Sequence, residues 1–220
     1  MLTESAFLPN GESLSQGLRS NVANFRRPST SFVPRCRALF WEGEEDAQKI
    51  EIVEGVVRAV RLLENGNRQI LAFYWPGEVV MPTHSTHQQF TAEAVTDCRV
   101  IRSRTSGVCR SDEPCGAHQV LADTLTLVMT MSQKNCVARI AWLLLRIRPR
   151  LPPDPKRPGA FRLQLPRADI ADHVGTSLET VCRTLAEFKA KGVIDLPNRK
   201  TIKFTDIEGL ARISNGRAAD

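Results

Sequence analysis

Four residues close together in the chain, Leu178, Glu179, Cys182 and Arg183, have side chains that can read the edge of a nucleic-acid base. A carboxylate accepts from the amino group of cytosine, a guanidinium donates a bidentate pair to O6 and N7 of guanine, and an aliphatic group packs on the methyl of thymine. Their spacing sets them on one face of a helix, opposite Val181, Leu185 and Phe188, which repeat at the interval of a buried apolar stripe. A face that no core requires is free to meet a partner. The alternative is an ion pair between Glu179 and Arg183 on a solvated helix, worth about 0.3 to 0.5 kcal/mol.

The neighbouring sequence supplies what would position such a helix. Ile170, Ala171 and Val174 lie on one side of a shorter helix, and Gly175 separates the two. Thr176 and Glu179 have capping-box spacing, so the second helix is expected to begin at Ser177 or Leu178. Two short helices about a tight turn form a helix-turn-helix, the second entering the major groove. Further on, Gly192 to Ile194 and Thr201 to Phe204 read as a β-hairpin around Pro197-Asn198, completing a winged helix. A short helix from Asp206 and a disordered tail are expected to follow.

The run Glu179, Thr180, Val181, Cys182, Arg183 has the form E-x-x-[SG]-R with Cys in the fourth place, and there the chain resembles the Crp/Fnr superfamily of bacterial transcription regulators. The resemblance covers roughly residues 30 to 210. It implies an α+β fold: an N-terminal β-roll or jelly roll like a cyclic-nucleotide-binding domain, a long dimerisation helix, and a C-terminal winged helix-turn-helix. The expected domains are a flexible leader at 1–30, a sensory-type β-roll at 31–115, dimerisation and connecting helices at 116–148, and a DNA-binding domain at 149–220. By position in the family, Arg167, Ser177 and Thr180 are implied phosphate contacts, which helix N-termini favour independently. The implied partners are double-stranded DNA, RNA polymerase and a second copy of the chain, with recognition helices about 34 Å apart.

Upstream, Ile50 to Val53, Val56 to Leu63, Ile70 to Phe73 and Cys98 to Ile101 are β-branched runs broken by Glu54-Gly55, Asn65-Gly66-Asn67 and Trp75-Pro76-Gly77, as a roll of short strands requires. Gly116 to Arg148 reads as helix with a break near Lys134 to Cys136. Leu121, Leu125 and Val128, with Ser132 and Asn135 continuing it, form a seam that wants a second copy, and Trp142, Leu143, Leu144 and Ile147 pack on the DNA-binding core. The proline-rich stretch Arg148 to Gly159 is expected to be a loop whose basic residues can touch flanking phosphates.

No cofactor is expected. Laid on the family's nucleotide pocket, the turn is Pro76-Gly77-Glu78, the ribose glutamate falls near Pro82, and the phosphate-binding Arg-Ser pair falls near Gln88-Gln89. Neutral amides there would forfeit a charge-assisted contact worth about 1.5 to 3 kcal/mol. An iron-sulfur cluster needs closely spaced thiolates, but Cys36, Cys98, Cys109, Cys115, Cys136 and Cys182 are scattered and residues 1–35 contain none. Apart from Cys182 they are expected to be reduced packing residues. His84, His87, His118 and His173 lack the partners of a metal site.

A regulator with neither cofactor site resembles the FixK-like branch of the Fnr group, activators of microaerobic respiration and nitrogen-fixation genes. The apolar Leu178 likewise implies a target like TTGAT-N4-ATCAA. Cys182 stands where the family has Ser or Gly. With Arg183 beside it and a helix N-terminus one turn away, both favouring thiolate, it is expected to make an activator that peroxide inactivates. The alternative is a ligand-gated member of the superfamily with an unknown effector in the β-roll; an architectural DNA-binding dimer is a further one.

Charge agrees with this division: residues 1–133 hold 13 Lys/Arg against 15 Asp/Glu, a balance of −2, and residues 134–220 hold 17 against 9, a balance of +8. No secretory signal, apolar membrane-length run, nucleophile elbow, phosphate loop or HExxH motif occurs, so a cytoplasmic non-enzyme without a membrane partner is expected.

Overall fold

The computed structural model describes residues 29–45, 48–80, 87–104, 116–133 and 135–216. The leader up to residue 28, Pro82, His84, Cys109, Cys115 and the last four residues lie outside them. Among the described residues, eight short strands build the N-terminal part: β1 (Thr30–Val33), β2 (Ala38–Phe40), β3 (Gln48–Glu54), β4 (Val57–Leu62), β5 (Arg68–Tyr74), β6 (Val79–Val80), β7 (Thr91–Ala94) and β8 (Cys98–Arg104). They form two antiparallel sheets of four strands, ordered β1-β8-β3-β6 and β2-β7-β4-β5. Alternation drives the packing: in β3, Ile50 and Ile52 are buried while Glu51 and Val53 between and after them are exposed. Ile50, Ile52, Val57, Ala59, Val80 and Val100 fill the space between the sheets.

The four β-branched runs expected as strands are β3, β4, β5 and β8. Strands β1, β2, β6 and β7, of two to four residues each, were not anticipated. β4 and β5 pair across Asn65-Gly66, where Gly66 has φ of +80° and the Asn65 side chain accepts from the Asn67 N–H.

Two helices follow, α1 (Gly116–Gln133) and α2 (Cys136–Ile147), separated at the expected break, where Asn135 caps α2 by accepting from the Ala138 N–H at 2.9 Å. Residues Arg148–Arg150, expected as loop, form one 3₁₀ turn, because Pro149 sits in a first turn where no N–H is needed. The remainder is β9 (Phe161–Arg162), α3 (Arg167–Val174), α4 (Leu178–Ala190), β10 (Ile194–Asn198), β11 (Thr201–Phe204) and α5 (Ile207–Ser214), with the strands ordered β10-β11-β9. The wing hairpin and terminal helix are present, but the first wing strand starts at Ile194 and runs through Pro197-Asn198, so the turn falls at Arg199-Lys200 rather than at Pro197-Asn198; β9, the third strand, was not expected.

Ile140, Leu143, Leu144 and Ile147 of α2 pack with Ile170, Val181, Leu185, Phe188, Ile202 and Leu210. Val56, Trp75 and Val95 of the β-roll belong to the same buried cluster, so apolar packing runs without a break from the roll into the helix-turn-helix.

Candidate nucleic-acid interface

α3 ends at Gly175, whose φ of +65° is the left-handed cap that glycine adopts without strain; the Gly175 and Thr176 N–H groups both return to the Ala171 carbonyl. Thr176 is thereby used to close α3. The capping box expected on Thr176 is not formed: Ser177 caps α4, its hydroxyl oxygen accepting from the Thr180 N–H at 3.1 Å and lying 2.9 Å from the Thr180 hydroxyl. The helix begins at Leu178, within the expected range.

Val181, Leu185 and Phe188 are buried, and the opposite face presents Leu178, 50% exposed, with Glu179 and Arg183 exposed and Cys182 half-buried. No ion pair joins Glu179 to Arg183 among the described residues, so the solvated-pair alternative is not realised. Ala186 is exposed on the same face, one turn beyond Cys182, and its small side chain leaves room for close approach. The guanidinium beside the Cys182 thiol is Arg167 rather than Arg183: Arg167 Nη1 donates to Sγ at 3.4 Å, and Arg167 Nε is buried without a partner. Arg167 thus ties the start of α3 to the face of α4 opposite its buried stripe.

Other cations flank this face. Arg35, Lys156, Arg162, Arg167, Arg199 and Lys200 line a groove of about 900 Å³ between the β-roll, the 154–157 loop and the wing turn. The loop is held by Asp154, whose carboxylate accepts from the Lys156 N–H and the Thr201 hydroxyl; these bonds hold its pKa below the usual carboxylate range. Sequence reading missed the wing and β-roll cations because lone basic residues in turns carry no periodic signal.

It also missed the polar contact behind the helix-turn-helix. Asp169, 1% exposed, receives Arg58 of β4 and Arg68 of β5; Arg58 also pairs with Glu93 at 2.9 Å, and Arg68 with Asp172 at 2.7 Å. Burial opposes the Arg58 charge, but the bonds to Glu93 and Asp169 outweigh it and raise its pKa. Gln69 Nε2 donates to the Asp172 carbonyl at 2.8 Å. His173 is buried with Nδ1 3.1 Å from the Ile70 carbonyl, against the rings of Phe73 and Trp142. Burial chiefly, with the Arg146 charge adding to it, lowers its pKa to about 4 against the Ile70 bond. Neutral, His173 carries its proton on Nδ1, since a carbonyl can only accept.

On α1, Leu125, Val128 and Met129 are 54%, 59% and 58% exposed and Ser132 is exposed, its hydroxyl donating to the Met129 carbonyl; the Leu121 side chain lies outside the described residues. Of the other cysteines, Cys98 is buried and burial pushes its thiol pKa up. Cys36 corrects the expectation of packing: it is exposed in a turn at φ of +62°. Gln88, placed in the nucleotide-pocket position, is buried, and its backbone pairs with Glu44 and Gly43. No helix of the described residues is long and apolar enough to cross a membrane.

The Crp-like helix-turn-helix domain matches residues 138–213, and the cyclic nucleotide-binding domain matches residues 32–108. The nitrogen fixation regulation protein FixK of Rhizobium meliloti is 30% identical over 183 residues, covering 81% of this chain and 84% of that protein. FixK of Azorhizobium caulinodans is 29% identical over 194 residues, with 82% and 77% covered. The solved structure of FixK2 from Bradyrhizobium japonicum superposes with a TM-score of 0.74 at 25% identity, over 87% of this chain and 98% of that one. A β-roll, a helix pair and a winged helix in this order, with these relatives, assign the chain: it belongs to the Crp/Fnr superfamily of transcription regulators, in the FixK-like branch.

Proposed function

We propose that this regulator is an activator that binds a TTGAT-N4-ATCAA-like palindrome as a homodimer without an effector, and that oxidation of Cys182 inactivates it. The outward face of α4, with Leu178, Glu179 and Arg183 exposed, carries the reading: Glu179 and Arg183 meet base edges, Leu178 packs on a thymine methyl, and Cys182, held by Arg167, lies between them. Arg167, Ser177 and Thr180 touch phosphates, which sets affinity and salt dependence more than sequence choice. The apolar ridge Leu125, Val128 and Met129, continuing the Leu121 to Ser132 seam, supports dimerisation through α1. RNA polymerase is the further partner, the cytoplasm the site of action, and microaerobic or nitrogen-fixation-type genes the targets, as the names of the FixK relatives suggest.

Peroxide oxidises the Cys182 sulfur by two electrons as an S–O bond forms and the O–O bond breaks, releasing water; a second equivalent gives sulfinate. A sulfinate beside Arg167 would draw that guanidinium into an internal ion pair and set fixed negative charge against DNA.

Fluorescence anisotropy on a TTGAT-N4-ATCAA duplex tests this, using reduced and peroxide-treated wild type beside Cys182→Ser across a salt series. Ligand-free binding that peroxide abolishes only when Cys182 is present is expected. Binding that requires an added ligand would transfer the argument to a ligand-gated regulator, and a Cys182→Asp protein that binds as tightly as wild type would remove the charge mechanism.

A further inference from the structure

We infer that Arg58 and Arg68 of the β-roll, through Asp169 and Asp172, are positioning residues for DNA binding: they fix the orientation of the helix-turn-helix from behind, without touching DNA. The first support is where the contact lies. The partners are 101 to 111 residues apart, so the pairing joins the β4–β5 hairpin to α3 and adds nothing to the stability of either element alone. Asp169 is almost wholly buried, and a buried carboxylate persists in a fold only when it is paired and hydrogen-bonded.

The second support is geometry. Arg68 reaches Asp172 through Nη2 at 2.7 Å and Nε at 3.2 Å, while the same Nη2 lies 3.2 Å from Asp169. A planar guanidinium held by two carboxylates accepts a narrow range of angles. The apolar packing of Val56 and Trp75 in the same region is non-directional and tolerates sliding. The ion pairs therefore fix the angle while the apolar contact holds the elements together.

The third support is transmission. α3 and α4 share one core, are joined by the short Gly175 turn, and are tied by Arg167 to Cys182, so a constraint on α3 is a constraint on the reading face. Arg139 adds a second tie: its guanidinium donates to the Met131 carbonyl at the end of α1 and the Val174 carbonyl at the end of α3. The β-roll thus supplies by side chains an orientation that a bound effector would otherwise have to supply. This goes beyond the choice of site and the cysteine switch.

The test uses the full chain and the more accessible pair, Arg68 and Asp172, 37% and 27% exposed, so that folding survives. Arg68→Glu, Asp172→Arg and the double variant are titrated against a duplex that the wild type itself selects from a random pool, so an error in the proposed palindrome leaves the test intact. Hydrogen exchange of α3 and β5 in the free proteins reports whether the contact is closed. Each single variant is expected to lose affinity by about ten-fold and to lose amide protection, and the double variant, in which the carboxylate of Arg68→Glu still faces Asp169, to recover both in large part but not in full; a double variant that recovers neither would overturn the inference. Asp172→Arg adds two positive charges, which alone would strengthen DNA binding, so its loss reports orientation. Lost protection with unchanged affinity would overturn the inference, as would singles that change neither. A double variant that regains protection but not affinity would also overturn it, by making these residues DNA contacts.

Discussion

Acidification gives the sharpest check on whether the β-roll and α3 are in contact in solution, because His173 is buried between them. Its pKa is lowered from 6.5 to about 4, so between those values the unfolded chain takes up a proton that the fold refuses. The stability linked to His173 is therefore complete above pH 6.5 and is lost as pH falls toward 4. One pKa unit is worth about 1.4 kcal/mol, so the loss comes to about 2 kcal/mol at pH 5 and about 3 kcal/mol at pH 4. His173→Gln keeps a donor for the Ile70 carbonyl and does not titrate, which makes it the comparator. Urea unfolding of both proteins at a series of pH values, subtracted one from the other, cancels the carboxylates they share. The wild type is expected to lose stability the faster of the two below neutrality. Parallel curves down to pH 5 would show that His173 is solvated, and would refute the docked arrangement on which the positioning argument stands.

Four other outcomes follow from the same geometry. Glu179→Ala and Arg183→Ala should each reduce discrimination between the selected site and its single-base variants by about 1 to 3 kcal/mol while leaving non-specific binding nearly unchanged, measured by competition anisotropy. Lys200→Ala, at the wing turn, should weaken all sequences alike and reduce the slope of log K against log salt by about 1. Gly175→Ala should cost about 1 kcal/mol or more in thermal or urea unfolding, since φ is +65° and the added Cβ would lie 2.8 Å from the Met131 methyl. Val128→Glu should shift sedimentation toward monomer and lower affinity for the palindrome more than for a half-site.

The parts legible in the sequence were those with local signals. The recognition helix showed itself because Val181, Leu185 and Phe188 keep a helical period and Gly175 marks the turn. β3 and β8 were visible as β-branched runs, whereas β6, two residues long, has no room for a pattern. The cap went to Ser177 because α4 begins at Leu178, which makes Ser177 the residue whose hydroxyl reaches the Thr180 N–H; the spacing of adjacent hydroxyl residues does not reveal which of them sits at that position. Asp169 and Asp172 read as ordinary helix carboxylates; their partners lie about a hundred residues upstream, and neither partner has a motif around it. Arg167 was placed at phosphate by its position in the family, and its contact with Cys182 depends on the packing angle of two helices.

The unbroken apolar cluster from Val56, Trp75 and Val95 into α2 and the winged helix bears on how such regulators can be recombined. A winged helix excised at the end of α1 would leave that patch bare and strand the carboxylate of Asp169 in it, so the excised piece is not a portable reading head. A chimera that grafts this reader onto another sensor would have to carry the β4–β5 hairpin with it, or rebuild the hairpin's two arginines on the new roll.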